Sequence, residues 1–322
     1  MGRKVVFLFL AIALVAGLSA VLGCETEKAQ KEGIAAIDLV PRTANIAASV
    51  DLNRIFADDD VLDIINEIAA NLEEPKTVDE LLELVIEETG IDLRDFSEVL
   101  IFGDFESEDY FGAIAKGDFD QAALIGAIES AVGEELSPSD YKGYQIYNIP
   151  DQEMAICFLN SNTILGGSRA AVKDAIDVNE GAPSLDKPIY DTYNALGQSW
   201  IKLAMEMPAE AMEVIPDELP PGLDTFLAMQ TIGLSFNKVG VNLSLQLKLL
   251  FLNSANAEDA KGAFDALKGM LAFIPDLPGE VTEIVDRLNV EQSGSWLTVS
   301  FEATKAEIRD WTRDLGPALQ DM

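Results

Sequence analysis

The side chains in these 322 residues that could do chemistry are mostly carboxylates, with hydroxyls, amines and two thiols beside them. There is no histidine, so imidazole serves neither as a base nor as a metal ligand. Ser184 and Lys187 have the Ser-x-x-Lys spacing in which an amine can activate a hydroxyl. The Lys-Thr-Gly element that would complete such a site is missing, and no Gly-x-Ser-x-Gly run occurs. Carboxylates dominate, with 56 Asp and Glu against 22 Lys and Arg. A carboxylate-dependent hydrolase needs two of them converging in a cleft, one with a raised pKa, and spacing alone does not show convergence. The two cysteines, Cys24 and Cys157, are too few for a disulfide framework. Cys157 lies in an apolar run and reads as a buried, inert thiol.

Cation binding has one weak candidate. Asp104, Glu106, Glu108 and Asp109 place four carboxylates in six residues, and Ca²⁺ takes six to eight oxygens. The run lacks the central glycine and closing glutamate of an EF-hand loop, and it reads more simply as a solvated hairpin turn. Asp58-Asp59-Asp60 suits the negative N-terminus of a following helix. Gly166-Gly167-Ser168-Arg169 could cradle an anion, but Ser168 as a helix cap explains the same residues. Met205, Met207 and Met212 could suggest copper(I). Met205 and Met207 share one strand face with Ile201 and Leu203, which makes core packing the simpler reading.

The formal charge of −34 argues against nucleic acid as a partner, since both would be negative. Hydrophobic content of 48% is enough for a core and excludes acidic disorder. The charge is uneven. Residues 58–109 hold 19 acidic residues and only Lys76 and Arg94. They form an acidic flank that an anionic bilayer would repel.

The N-terminus sets an address. Arg3 and Lys4 precede an apolar run, Val5 to Leu22, which ends in Val21-Leu22-Gly23-Cys24. A basic start, an apolar core and a small residue before the cut describe a signal peptide. A single transmembrane anchor is the alternative. The last four residues resemble the lipobox of prokaryotic lipoproteins. That resemblance implies cleavage between Gly23 and Cys24, acylation of Cys24, and a membrane-held chain on the extracytoplasmic face. Residues 1–23 are then the signal peptide and 24–36 the lipidated cysteine with a polar tether.

The remainder reads as α+β, two tandem repeats of antiparallel sheet with packed helices: 37–180, a connector at 181–196, and 197–322. Ile201–Met207, Ile232–Asn237, Val241–Leu249 and Leu297–Glu302 alternate apolar and polar residues, as strands with one buried face do. Thr77 with Glu80, and Thr304 with Glu307, have capping-box spacing, and Gly90 is placed to close the first of these helices. Three landmark pairs support the repeat at nearly constant offsets: Gly90 and Gly222, helix caps Asp118 and Asn256, and helix caps Ser168 and Thr304.

Tyr141-Lys-Gly-Tyr-Gln-Ile-Tyr147, then Thr163-Ile-Leu-Gly-Gly-Ser168 leading into Ala170-Ala-Val-Lys-Asp-Ala-Ile176, followed by Ser184-Leu-Asp, carry a family likeness. With the Gly90-Ile-Asp92 step, these residues resemble a family of bacterial surface proteins known as a domain of unknown function. The likeness covers most of residues 37–316 and implies a tandem α+β build, with no reaction and no catalytic residues.

One pattern stands out in the first repeat. Its strands at 98–103, 110–116 and 153–159 are apolar on both faces, so both need cover. Helices can supply that cover, or one face can serve as a ligand or partner surface. Leu100, Phe102, Phe111, Ala155 and Leu159 mark the candidate face. The functional expectation is a non-catalytic binding or scaffolding lipoprotein at the cell envelope, whose partner is an envelope protein or an apolar ligand. A hydrolase of envelope or extracellular polymers, and an apolar-ligand or solute-binding lipoprotein, are the alternatives.

Overall fold

A computed structural model describes residues 34–69, 77–107, 109–207, 223–271 and 279–311. The signal segment, Cys24 and most of the tether lie outside these, as do Glu108 and Met212. The chain is α+β and divides into two compact units between Asp186 and Lys187, inside the stretch read as connector.

Unit 1 opens with a 3-10 turn, Ala36–Leu39, whose Ala36, Ile37 and Leu39 are buried. The end of the expected polar tether is therefore core. Strand β1 (Ile46–Asp51) leads through α1 (Leu52–Phe56), α2 (Asp59–Ala69) and α3 (Val78–Thr89) to the hairpin β2 (Phe96–Gly103) and β3 (Phe111–Gly117). Helix α4 (Gln121–Val132) follows. The meander β4 (Ser137–Tyr141), β5 (Tyr144–Asn148), β6 (Met154–Asn160), β7 (Thr163–Ser168) comes next, and α5 (Arg169–Asn179) closes the unit. The strands order as β1-β2-β3-β7-β6-β5-β4, and the pairs within this sheet are antiparallel.

Capping residues set the helix ends. Thr77 accepts from the Glu80 amide at 3.2 Å, and Gly90, at φ 72°, takes the left-handed turn that ends α3. Helix α4 is capped by Asp120, which accepts from the Ala123 amide at 2.9 Å, and not by Asp118. The Asp118 amide bonds back to the Asp95 carbonyl at 2.8 Å, which keeps it in the preceding turn.

Unit 2 begins with α6 (Lys187–Ala195), formed by residues read as connector. Strands β8 (Ile201–Glu206), β9 (Met229–Val239) and β10 (Asn242–Phe251) follow. Then come α7 (Ser254–Leu271), α8 (Gly279–Arg287), β11 (Asn289–Ser293), β12 (Trp296–Thr304) and a helical run at 305–311. Asn253, not Asn256, caps α7, its Oδ1 accepting from the Asn256 amide at 3.0 Å. Thr304 and Glu307 do form a reciprocal box: Thr304 donates to Glu307 Oε2 at 2.8 Å, and the Glu307 amide donates to Thr304 Oγ1 at 3.3 Å. The strands order as β8-β9-β10-β12-β11, again antiparallel. This is the order of β1-β2-β3-β7-β6 in unit 1, with the β4–β5 hairpin as unit 1's addition.

The unit 1 sheet has two apolar faces, as its sequence pattern requires. Register fixes their membership. Leu100 pairs with Ile114, which pairs with Leu165, while Cys157 stands opposite Leu165. These side chains share one face with Phe102 and Ala155. Val99, Ala113, Ala115, Ile156, Ile164 and Gly166 lie on the other.

Candidate functional site

The first face is covered by α5, which buries Ala171, Val172, Ala175 and Ile176 against it. Three tyrosines hold the polar side of that helix. Tyr110 donates to Asp174 at 2.9 Å, Tyr141 to Asp177 at 3.2 Å and Tyr144 to Glu180 at 2.8 Å. Lys142 also bonds Asp177 at 2.8 Å and keeps its carboxyl below the usual carboxylate range. Packing here is close. A Cβ added at Gly112 would sit 2.3 Å from the Phe102 ring, so only glycine fits beneath that ring. Cys157 is fully buried, and burial pushes its thiol up to about 11. It is therefore a core residue and not a nucleophile at neutral pH.

The second face is different. Helix α4 lies above it with Leu124 and Ile128 turned inward and buried. The α4 backbone packs chiefly against α3 and not against a strand. An apolar slot opens between helix and sheet. Ala113, Ala115 and Gly166 form its floor. Phe96, Val99, Ile156 and Ile164 wall it, Ile91 and Leu93 close one end, and Leu124 and Ile128 make the roof. The room open to the centre of a water-sized sphere is about 70 Å³. Ala113, Ala115, Ile164 and Gly166 stay only half-buried, although β3 and β7 are central strands. The void therefore sits on the floor, where side chains are small.

Among the described residues no polar side chain lines the slot. Water needs two to four polar partners in such a site and finds none. The slot is only partly enclosed, so leaving it empty keeps apolar surface in contact with water at a cost of ~25 cal/mol per Å². An apolar guest recovers that cost. Three aromatic contacts run beside the slot from Phe96: to Phe119 at 5.7 Å, on to Phe158 at 6.0 Å, and from there to Tyr147 at 6.1 Å.

None of the five residues that marked the candidate face lines this slot. Leu100, Phe102 and Ala155 are buried on the opposite face under α5, at 0%, 4% and 0% exposure. Phe111 is exposed at the far end of β3. Leu159 is half-buried at the irregular end of β6. Leu100, Phe102 and Ala155 therefore have the opposite parity to the slot lining, whereas Phe111 shares the parity of Ala113 and Ala115 but lies beyond the slot.

The acidic turn is organised by protein atoms. Asp104 Oδ1 accepts from Asn45 Nδ2 at 2.5 Å and from the Glu106 amide at 3.0 Å, and Asn45 Oδ1 accepts from the Phe105 amide. With Asp104 so engaged, Glu106 and Asp109 complete no group: among the described residues, no three His, Cys, Asp or Glu side chains come together as metal ligands. Ser184 bridges to Pro41, and Lys187 turns to Asp191 along its own helix. Ser168 caps α5, accepting from the Ala171 amide at 3.3 Å.

Among the described residues no Asp or Glu is buried. Asp95 is raised above its ordinary value, first by partial burial and then by Asp92 and Asp118. It lies exposed on a turn.

Comparison with known proteins finds no matching family model and no matching curated protein. Among solved structures the chain is similar to TP0453. Crystal form III aligns at TM-score 0.46 and 10% identity over 86% of this chain and 97% of that one. Form I gives TM-score 0.43 and 10% identity over 89% and 99%. Form IV gives 0.46 and 9% over 88% and 98%.

Proposed function

We propose that this chain is a lipid-anchored protein of the extracytoplasmic envelope that binds rather than catalyses, and that its first unit holds an apolar ligand in the slot beneath α4. The slot carries this reading. Its described lining is apolar throughout and offers water no hydrogen-bonding side chain, so leaving it empty is unfavourable. The anchoring half rests on Arg3, Lys4, the apolar run and Val21-Leu22-Gly23-Cys24. The absence of buried carboxylates among the described residues favours binding over the hydrolase alternative. The exposed turn position of Asp95 points the same way.

Two experiments test the two halves. Wild-type chain should incorporate a lipid label, while Cys24→Ser should not. Label retained on Cys24→Ser overturns the anchor. Separately, benzene or pressurised xenon should raise the melting temperature of the folded chain saturably. No rise with either overturns the slot as a ligand site.

A further inference from the structure

We propose that the slot takes one straight, uncharged alkyl chain, laid lengthwise across the strands. This rests on the reading of the slot as the ligand site and narrows the class of ligand. The lining crosses four neighbouring strands, from Val99 on β2, over Ala113 and Ala115 on β3 and Gly166 on β7, to Ile156 on β6. Neighbouring strands lie about 4.8 Å apart, so three intervals span roughly 14 Å. Spread over that length, 70 Å³ leaves a cross-section of about 5 Å² for atom centres. That is room for a single file of carbons and not for fused rings. An extended chain advances ~1.3 Å per carbon, so about ten to twelve carbons fill the slot.

The charges that flank the lining decide the head group. Asp92 and Asp95 border Leu93 and Phe96, and Asp118 and Asp120 follow β3. Arg94, within the same stretch, donates to Asp92 at 2.8 Å. Lys116 turns to the other face and donates to the Ile34 carbonyl. A carboxylate head would meet like charge, whereas an alcohol or ester would not.

The test uses the full chain carrying Cys24→Ser, which has no acyl group of its own at that position. Straight-chain alcohols from hexanol to tetradecanol should bind one per chain. Affinity should rise about fourfold per carbon and level off near ten to twelve. Dodecanol should bind more tightly than dodecanoate at pH 7. Ala115→Leu should abolish binding, and Leu124→Phe, which fills the slot from the roof, supplies the same test if Ala115→Leu fails to fold. Stabilisation by dodecanol alone assigns a free chain. Stabilisation by phosphatidylcholine vesicles as well assigns the chain of a neutral lipid. A rigid ring ligand binding better than dodecanol, no dependence on chain length, or tighter binding of dodecanoate overturns the proposal. If benzene or xenon stabilises the protein but the alcohols do not, the slot still binds and only the straight-chain assignment falls.

Discussion

In unit 2 the helix after the third strand lies tight on its sheet, whereas in unit 1 the corresponding helix stands off. Helix α7 brings Ala257 and Ala260, both fully buried, against Leu249 and Leu297. Phe226 packs its ring 6.1 Å from Phe251 and 5.5 Å from Phe264, filling what remains. Helix α4 offers larger inward groups, Leu124 and Ile128, over a floor of Ala113, Ala115 and Gly166. Strand order is the same in both. Small side chains on the helix with large ones on the sheet let the layers close. The reverse arrangement holds them apart over an unfilled floor. Topology sets where a slot can form, and side-chain volume decides whether it does.

Substitutions that exchange these conditions test the comparison. Phe251→Ala should open unit 2 and cost about 4 kcal/mol in denaturant unfolding, in the range for a fully buried aromatic. A loss under ~1 kcal/mol would mean that the unit 2 layer is not filled as described. On the packed face of unit 1, Gly112→Ala should cost about 2 kcal/mol through overpacking against Phe102. Ala115→Val, three residues along β3 on the slot face, should be neutral or stabilise by up to ~1 kcal/mol, because it adds volume to a void. A loss of more than ~1 kcal/mol there would show a full core.

The smallest effect belongs to the acid side of unit 2. Hydrogen bonding from Arg287, and then from the Thr304 amide and hydroxyl, lowers Glu307 to about 2. A lowered carboxylate stabilises the fold above its unfolded value and loses that contribution as pH falls. The Glu307 contribution is therefore present above about pH 4.5 and lost towards pH 2. Glu307→Gln should melt about 1–2 °C lower at pH 7 and no differently from wild type near pH 2. An equal gap at both pH values would contradict the pairing.

Local chemistry made much of the fold legible. Thr77, Glu80 and Gly90 bound α3 within a residue, and strict alternation marks β10 because one of its faces packs under α7. Strand β4 was invisible: Ser137-Pro-Ser-Asp-Tyr141 lies at the sheet edge with little to bury. Helix α6 was hidden among the Pro and Gly of a stretch read as connector. The slot was half legible. Two-faced apolar strands at 98–103, 110–116 and 153–159 announced a sheet needing cover on both sides. Alternation could not say which face stayed open, since Leu100 and Phe102 are as apolar as Val99 and Ile101. Volume held the missing signal. Ala113, Ala115 and Gly166 are small on one face of β3 and β7, whereas Ile114 and Leu165 are large on the other.

The central claim is that the slot, and not the face under α5, takes the ligand. Methyl-resolved NMR of the full chain during a decanol titration tests it most directly. The methyls of Ile91, Ile128, Ile156 and Ile164 should shift together and saturate at one equivalent, while those of Leu100, Ile114 and Leu165 stay in place. Shifts centred on Leu100, Ile114 and Leu165, or no saturable shift in either set, would contradict it.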